Sequence, residues 1–270
     1  MSKSTAADLP DAARPLARLL QNPRHGARAL FGWLLDDVLA DLAGRPPDRP
    51  PPAEARPLVR DLAGTYARAV AGAPFEDVLG PLFLETICRG DQRYRGQFFT
   101  PWPVARLMAE LAGPGAAEAG PRPGGGLWRL CEPACGSGVL PLAFLHTLTE
   151  RHGPGAARRW SLTAVDLDGD CARMAAAQLL ANGLIHGALP GELLVYRGNS
   201  LGPAADLTPL VHLVAPDGPP ETVAPALHPA RVEAIRAAAT SAGLDLFGLP
   251  LPGAGEAARD RARGGDAVTP

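Results

Sequence analysis

Apolar residues recur at helical spacing early in the chain: Leu16, Leu19 and Leu20, then Leu30, Leu34, Leu35, Val38 and Leu42, with an interruption at Asn22-Pro23. Positions three and four apart share one face of a helix, so the pattern predicts two short helices within Ala12–Ala43. Helix is predicted again over Leu58–Ala71 and Phe75–Ile87. From Leu127 the rhythm changes to alternation: strand over Leu127–Glu132, helix over Val139–Arg151, strand over Ser161–Asp166, helix over Asp168–Asn182, then strands over Glu192–Arg197 and Leu210–Ala215. Alternation of this kind predicts a parallel, doubly wound α/β sheet, because each right-handed crossover lays its helix on a sheet face. A helix over Ala230–Ala242 and a further strand over Leu244–Leu249 extend the pattern, and there is no internal repeat.

Three Pro/Gly-rich stretches punctuate this series: Arg45–Pro57, Gly113–Gly126 and the segment from Pro250 onward. They divide the chain into N-terminal helices (1–44), a Pro-rich linker (45–57), a helical lead-in (58–95), an α/β domain (96–249) and a disordered tail (250–270). A length of 270 residues suits one α/β domain with a smaller appendage. No apolar run approaches the roughly 20 residues of a membrane helix. The start, Met1-Ser2-Lys3-Ser4-Thr5, lacks the apolar core of a secretory signal, so the expectation is a cytoplasmic protein without membrane contact.

A net charge of −2 gives no overall field for drawing in a polyanion, so any nucleic-acid contact is local or borrowed from a partner. Nearly all positive charge is arginine, with Lys3 the only lysine. Cys88, Cys131, Cys135 and Cys171 form no Cys-x-x-Cys pair and are expected to be buried thiols; no metal-ligating set emerges.

The richest chemistry lies in Leu130-Cys131-Glu132-Pro133-Ala134-Cys135-Gly136-Ser137-Gly138, an apolar strand that ends in a carboxylate and a glycine turn before a helix. Such a turn brings backbone N–H groups to the carboxyl end of a strand, where α/β sheets bind nucleotide-like ligands. Glu132 can accept from a ligand ammonium while the turn amides face a carboxylate or ribose, Gly136 and Gly138 letting the backbone approach closely, which suits the zwitterionic end of S-adenosylmethionine. A turn serving only chain reversal remains the alternative. Asp166 ends the second strand, where a carboxylate can accept both ribose hydroxyls, and Leu167 can pack on an adenine face. Asp168 reads better as the cap of the following helix. Asn199-Ser200, just past the third strand, can read an adenine edge or form an ordinary turn. Upstream, Gly96-Gln97-Phe98-Phe99-Thr100-Pro101 precedes a helix over Val104–Leu111, with Thr100 suited to the N-cap, Pro101 to the first helical position, and both, with Phe99, close enough in sequence to touch the ligand.

Taken in order, these segments resemble the adenine-N6 DNA methyltransferases, in particular the methylation subunit of type I restriction-modification systems and related N-6 DNA methylases. The resemblance covers about Phe75 to Leu201, beginning with Phe75-Glu76-Asp77-Val78-Leu79-Gly80. Glu132 to Gly138 is similar to the family's Asp-Pro-Ala-Cys-Gly-Ser-Gly, with Glu in place of Asp. The resemblance implies a Rossmann-like methyltransferase sheet, shortened, with a small N-terminal helical region. It implies S-adenosylmethionine as cofactor, held by Phe99, Thr100, Pro101, Glu132, Ala134, Gly136, Gly138, Asp166 (ribose), Leu167 (adenine), Asn199 (adenine amine) and Ser200.

The departure comes next. The family carries Asn/Asp-Pro-Pro-Tyr/Phe after its fourth strand, whose aromatic ring stacks on the flipped base. Here Leu210–Ala215 is followed by Pro216-Asp217-Gly218-Pro219-Pro220-Glu221, with Gly218 between Asp217 and the prolines and Glu221 in the aromatic position. No residue is therefore assigned as catalytic. The chain also leaves little beyond Leu249 for a target-recognition domain, so DNA would be bound weakly by it alone and selected through a specificity subunit. Arg89, Arg93 and Arg95 are candidates for phosphate contact or a solvated surface. Two functions remain open: methyl transfer to DNA adenine with a partner, or a cofactor-binding or subunit-docking module without turnover. A nicotinamide-dependent oxidoreductase fits the alternation but neither Glu132 nor the Gly96–Pro101 motif.

Overall fold

The computed structural model describes residues 9–47, 49–88, 99–113, 115 and 120–215. Helices α1 (Arg14–Leu20), α2 (Ala27–Ala43), α3 (Arg56–Gly72), α4 (Leu79–Thr86) and α5 (Trp102–Ala112) come first. Strand β1 (Trp128–Glu132), helix α6 (Val139–His152), strand β2 (Trp160–Asp166), helix α7 (Gly169–Ile185) and strands β3 (Glu192–Arg197) and β4 (Thr208–Val214) follow. The break at Asn22-Pro23 separates α1 from α2 as expected. Helix α2 stops at Gly44, whose left-handed φ of 63° is open to glycine at little cost. The Pro-rich linker gives way to α3 earlier than the sequence predicts, because Pro57 sits in the first turn, where its missing N–H has no intrahelical partner to lose. Helix α4 is shorter than the Phe75–Ile87 predicted, since Phe75 is held at a left-handed φ of 60° and the chain turns helical only at Leu79.

The described residues are α/β, with an open four-stranded mixed sheet in the order β1-β2-β3-β4. Strands β1, β2 and β3 run parallel, with Glu132 beside Ala164 and Asp166 beside Arg197. Strand β4 runs antiparallel to β3, with Glu192 beside Val214. This corrects the expectation of an all-parallel sheet. A parallel return needs a crossover of about a dozen or more residues, whereas the connection after β3 holds one short 3₁₀ turn, Ala204–Asp206, and comes back as a hairpin. Both crossovers, β1 to β2 and β2 to β3, step the same way, so right-handedness puts α6 and α7 on one face; no described strand makes the reversal that double winding requires. The helix over Ala230–Ala242 and the strand over Leu244–Leu249 lie outside the described residues. No helix among the described residues is long and apolar enough to cross a membrane.

The core centres on α7. Residues from Cys171 and Ala172 through Met174–Gly183 are buried. One side meets β2 and β3, and the other meets α2 and α3, so the N-terminal helices complete the packing of the sheet's crossover helix. Alanines 172, 175, 176, 177 and 181 are all buried and keep this approach close. Two buried amides punctuate them. Asn182 Oδ1 accepts from Phe75 N–H at 2.6 Å and its Nδ2 donates to the Gln178 carbonyl at 2.9 Å, which is what fixes Phe75 in its strained conformation. Three cysteines, 88, 135 and 171, are buried as expected; Cys131 is exposed on β1, an edge strand with no described neighbour on its outer side.

Asn182→Leu leaves the Phe75 N–H buried without a partner. It is expected to lower unfolding free energy by about 1–3 kcal/mol in urea denaturation; a change under about 0.5 kcal/mol, the range of neutral surface substitutions, would show the bond to be dispensable.

Candidate functional site

Because β1, β2 and β3 are parallel, the turns that follow them emerge side by side at one edge of the sheet, and the register sets Glu132 and Asp166 on neighbouring strands. The first turn is held from several sides. Cys135 N–H donates to the Val165 carbonyl at 2.9 Å, and Gly138 N–H to the Cys135 carbonyl at 2.8 Å. Glu132 Oε1 accepts from Ala134 N–H at 3.1 Å. Gly136 and Gly138 have φ of 54° and 92°, in the left-handed region that favours glycine. A Cβ on Gly138 would stand 2.9 Å from Ala175 Cα, so α6 can start here only because α7 meets a bare backbone.

Asp166 ties the three turns together. Its Oδ2 accepts from Gly136 N–H at 2.8 Å, its Oδ1 accepts from Asp168 N–H at 2.8 Å, and its carbonyl accepts from Gly198 N–H at 2.9 Å. Asp168 is the N-cap of α7, accepting from Asp170 N–H at 2.8 Å, in line with the capping reading. Asn199 Oδ1 accepts from Leu201 N–H at 3.0 Å, so this exposed side chain closes its own turn. Ser200 beside it is exposed, as is Leu167, which shows 72% of its surface.

Phe99 reaches the same place from the segment before α5: a Cβ on Gly136 would meet its ring at 3.0 Å. Thr100 and Pro101 follow directly, with Pro101 exposed and Thr100 half-buried. The capping expectation there is corrected. Pro101 itself is the N-cap, no side chain caps α5, and the first helical turn is Trp102-Pro103. The Pro101 carbonyl receives the first helical N–H groups, from Val104 and Ala105, which leaves the Thr100 hydroxyl without the capping role.

Phe99, Ala134, Gly136, Glu132 and Asp166 thus converge around one turn, and Leu167, Asn199 and Ser200 rim the neighbouring turns. Neither Glu132 nor Asp166 is in an ion pair among the described residues, so the edge carries two uncompensated carboxylates. Beneath it, burial and then the charge of Asp166 push the thiols of Cys135 and Cys171 well above the ordinary range, so neither is a ready nucleophile. The arrangement suits a ligand that brings hydroxyls, a cation and an apolar ring. Gly96, Gln97, Phe98 and the candidate phosphate contacts Arg89, Arg93 and Arg95 lie outside the described residues, as does Pro216–Glu221. Strand β4 ends at the other edge, where Ala215 N–H donates to the Gly191 carbonyl at 2.9 Å.

Sequence reasoning missed the supports behind the turn: Ser137, fully buried, and its partners Asp77 and Gln178. A signal existed, since Gln178 and Asn182 are the polar i, i+4 pair in an otherwise alanine- and leucine-rich stretch. Comparison with protein-family models, with curated proteins and with solved structures gives no significant match.

Gly138→Ala forces a left-handed alanine against the α7 backbone. The expected loss is about 2 kcal/mol or more in thermal or urea unfolding; wild-type stability in this variant would mean that α6 and α7 do not meet as described.

Proposed function

We propose that this chain binds S-adenosylmethionine at the carboxyl ends of β1, β2 and β3, and that it is a protein of the adenine-N6 DNA methylase type. The observation that carries the reading is the convergence of two carboxylates without an ion pair among the described residues, Glu132 and Asp166, on a turn shaped by left-handed Gly136 and Gly138. Asp166 has the lone pairs left over from its two backbone bonds for ribose hydroxyls, Glu132 for an ammonium, and exposed Leu167 and Asn199 for an adenine face and edge. When bound, the cofactor supplies a methyl group on a sulfonium, a group that needs orientation rather than a strong base to be transferred. This chain's residues hold and orient; DNA selection belongs to a partner such as a specificity subunit.

A second reading, a cofactor-binding or docking module without turnover, is favoured by β4. Its carboxyl end lies at the amino-terminal edge of the parallel strands. Strand β3 alone is about 17 Å long between its end residues at about 3.3 Å per step. The described end of β4 is therefore separated from the edge that carries Asp166 by about the length of β3, and the described residues supply no base-accepting group from β4 at that edge.

Calorimetry with S-adenosylmethionine is expected to show binding by the wild type and about tenfold weaker binding by both Asp166→Asn and Glu132→Gln, the loss of one charged hydrogen-bond partner each. No heat at millimolar ligand would remove the reading. With labelled cofactor and mixed-sequence DNA, the chain alone is expected to transfer no methyl group; transfer abolished by Asp217→Ala would overturn the second reading.

A further inference from the structure

Asp77 lies in the turn before α4 with 4% of its surface exposed. Its Oδ1 accepts from Gly80 N–H and from Gln178 Nε2, both at 2.8 Å, and its Oδ2 accepts from the Ser137 hydroxyl at 2.6 Å. Gln178 closes the network. Its Nε2 also donates to the Ser137 carbonyl at 2.8 Å, and its Oε1 accepts from Val78 and Leu79 N–H at 2.9 and 3.1 Å. No ion pair accompanies Asp77 among the described residues. Burial holds its pKa above the usual carboxylate range against the pull of these donors. Even Gly80 belongs to the cluster, because a Cβ there would collide with both Asp77 Oδ2 and Ser137 Oγ.

The two carboxylate oxygens do different things. Oδ1 caps the start of α4, which is local and ordinary. Oδ2 reaches sixty positions along the chain to Ser137, inside the β1–α6 turn. The residue before Ser137 is Gly136, whose N–H holds Asp166. A helix cap needs one oxygen; a buried carboxylate whose second oxygen grips a glycine turn has a further task. We infer that Asp77 is a positioning residue for the strand-end site: through Ser137 it fixes the 133–138 turn in its ligand-binding shape, so that the N-terminal helices set the affinity of a site to which they contribute no contact. The inference rests on the cofactor reading for the identity of the ligand only.

Ser137→Ala removes the link and leaves both Oδ1 bonds, hence the α4 cap, in place. Asp77→Asn keeps the Oδ1 acceptor and offers Ser137 an N–H in place of a lone pair, so the contact survives with its direction reversed. Amide exchange is read by mass spectrometry on peptides covering 133–142 and 79–86, and S-adenosylmethionine binding by calorimetry well below the melting temperature. For Ser137→Ala, exchange across the turn is expected to rise about tenfold while α4 exchanges as in the wild type, and cofactor affinity to fall about tenfold. Asp77→Asn is expected to stay within about threefold of wild type in all three readings. Unchanged exchange in the turn of Ser137→Ala, or equal loosening of turn and α4, would overturn the positioning role. A wild type whose turn loosens on Ser137→Ala but which takes up no S-adenosylmethionine would support that role and discard the cofactor reading instead.

Discussion

Helix α7 is enclosed between the sheet and the N-terminal helices, and its Gln178 and Asn182 side chains have no water to turn to. A buried amide is tolerated only when its donors and acceptors are matched, because an unmatched one costs about 1–3 kcal/mol. Gln178 meets that demand completely, with two bonds from its nitrogen and two to its oxygen. Since those partners come from the α4 start and from the β1–α6 turn, the rotation of α7 about its own axis is fixed, and with it the seam where three parts of the chain meet. The surrounding alanines do the complementary job. They bring backbones close enough for such short side chains to reach, as Gly138 against Ala175 shows.

The strand-end edge inherits its shape from that seam. Asp166 holds the first turn through Gly136, its own turn through Asp168 N–H, and the third through its carbonyl. None of these bonds neutralises its charge, and Glu132 brings a second carboxylate to the next strand. An edge that carries negative charge and no cation favours a partner that brings positive charge or several hydroxyls. The aromatic ring of Phe99 over Gly136 adds an apolar wall. The site is thus preorganised by hydrogen bonds among its own turns.

Much of this could be read in the sequence because it is local. A short apolar run ending in Glu132 or Asp166, followed by glycine or a capping aspartate, specifies a strand end and a helix start within a few residues, and β1, β2, β3, α6 and α7 fall within a few residues of where periodicity puts them. What failed was decided at longer range or by competing local signals. The direction of β4 depends on the length of the preceding connection, not on the alternation within Leu210–Ala215. The late start of α4 depends on Asn182, more than a hundred positions away, gripping Phe75. At Thr100 the hydroxyl lost to the Pro101 carbonyl geometry, since a proline with φ of −61° and ψ of 141° already provides a cap position. The support behind the glycine turn was invisible for the same reason: Ser137 looks like a turn residue until its partner is known.

The hairpin between β3 and β4 divides the sheet into two ends with different chemistry. At the carboxyl ends of the parallel strands Glu132 and Asp166 accept only from backbone N–H groups and form no ion pair among the described residues. At the other end β4 finishes beside Glu192, which accepts from Ser161 at 2.5 Å and contacts His212 Nε2 at 3.1 Å, a closed network of partly buried groups that offers a ligand little. Polar groups satisfied by one another in this way hold strands together. Strand β4 serves to cover the edge of β3, which would otherwise present a row of open backbone groups for unwanted pairing.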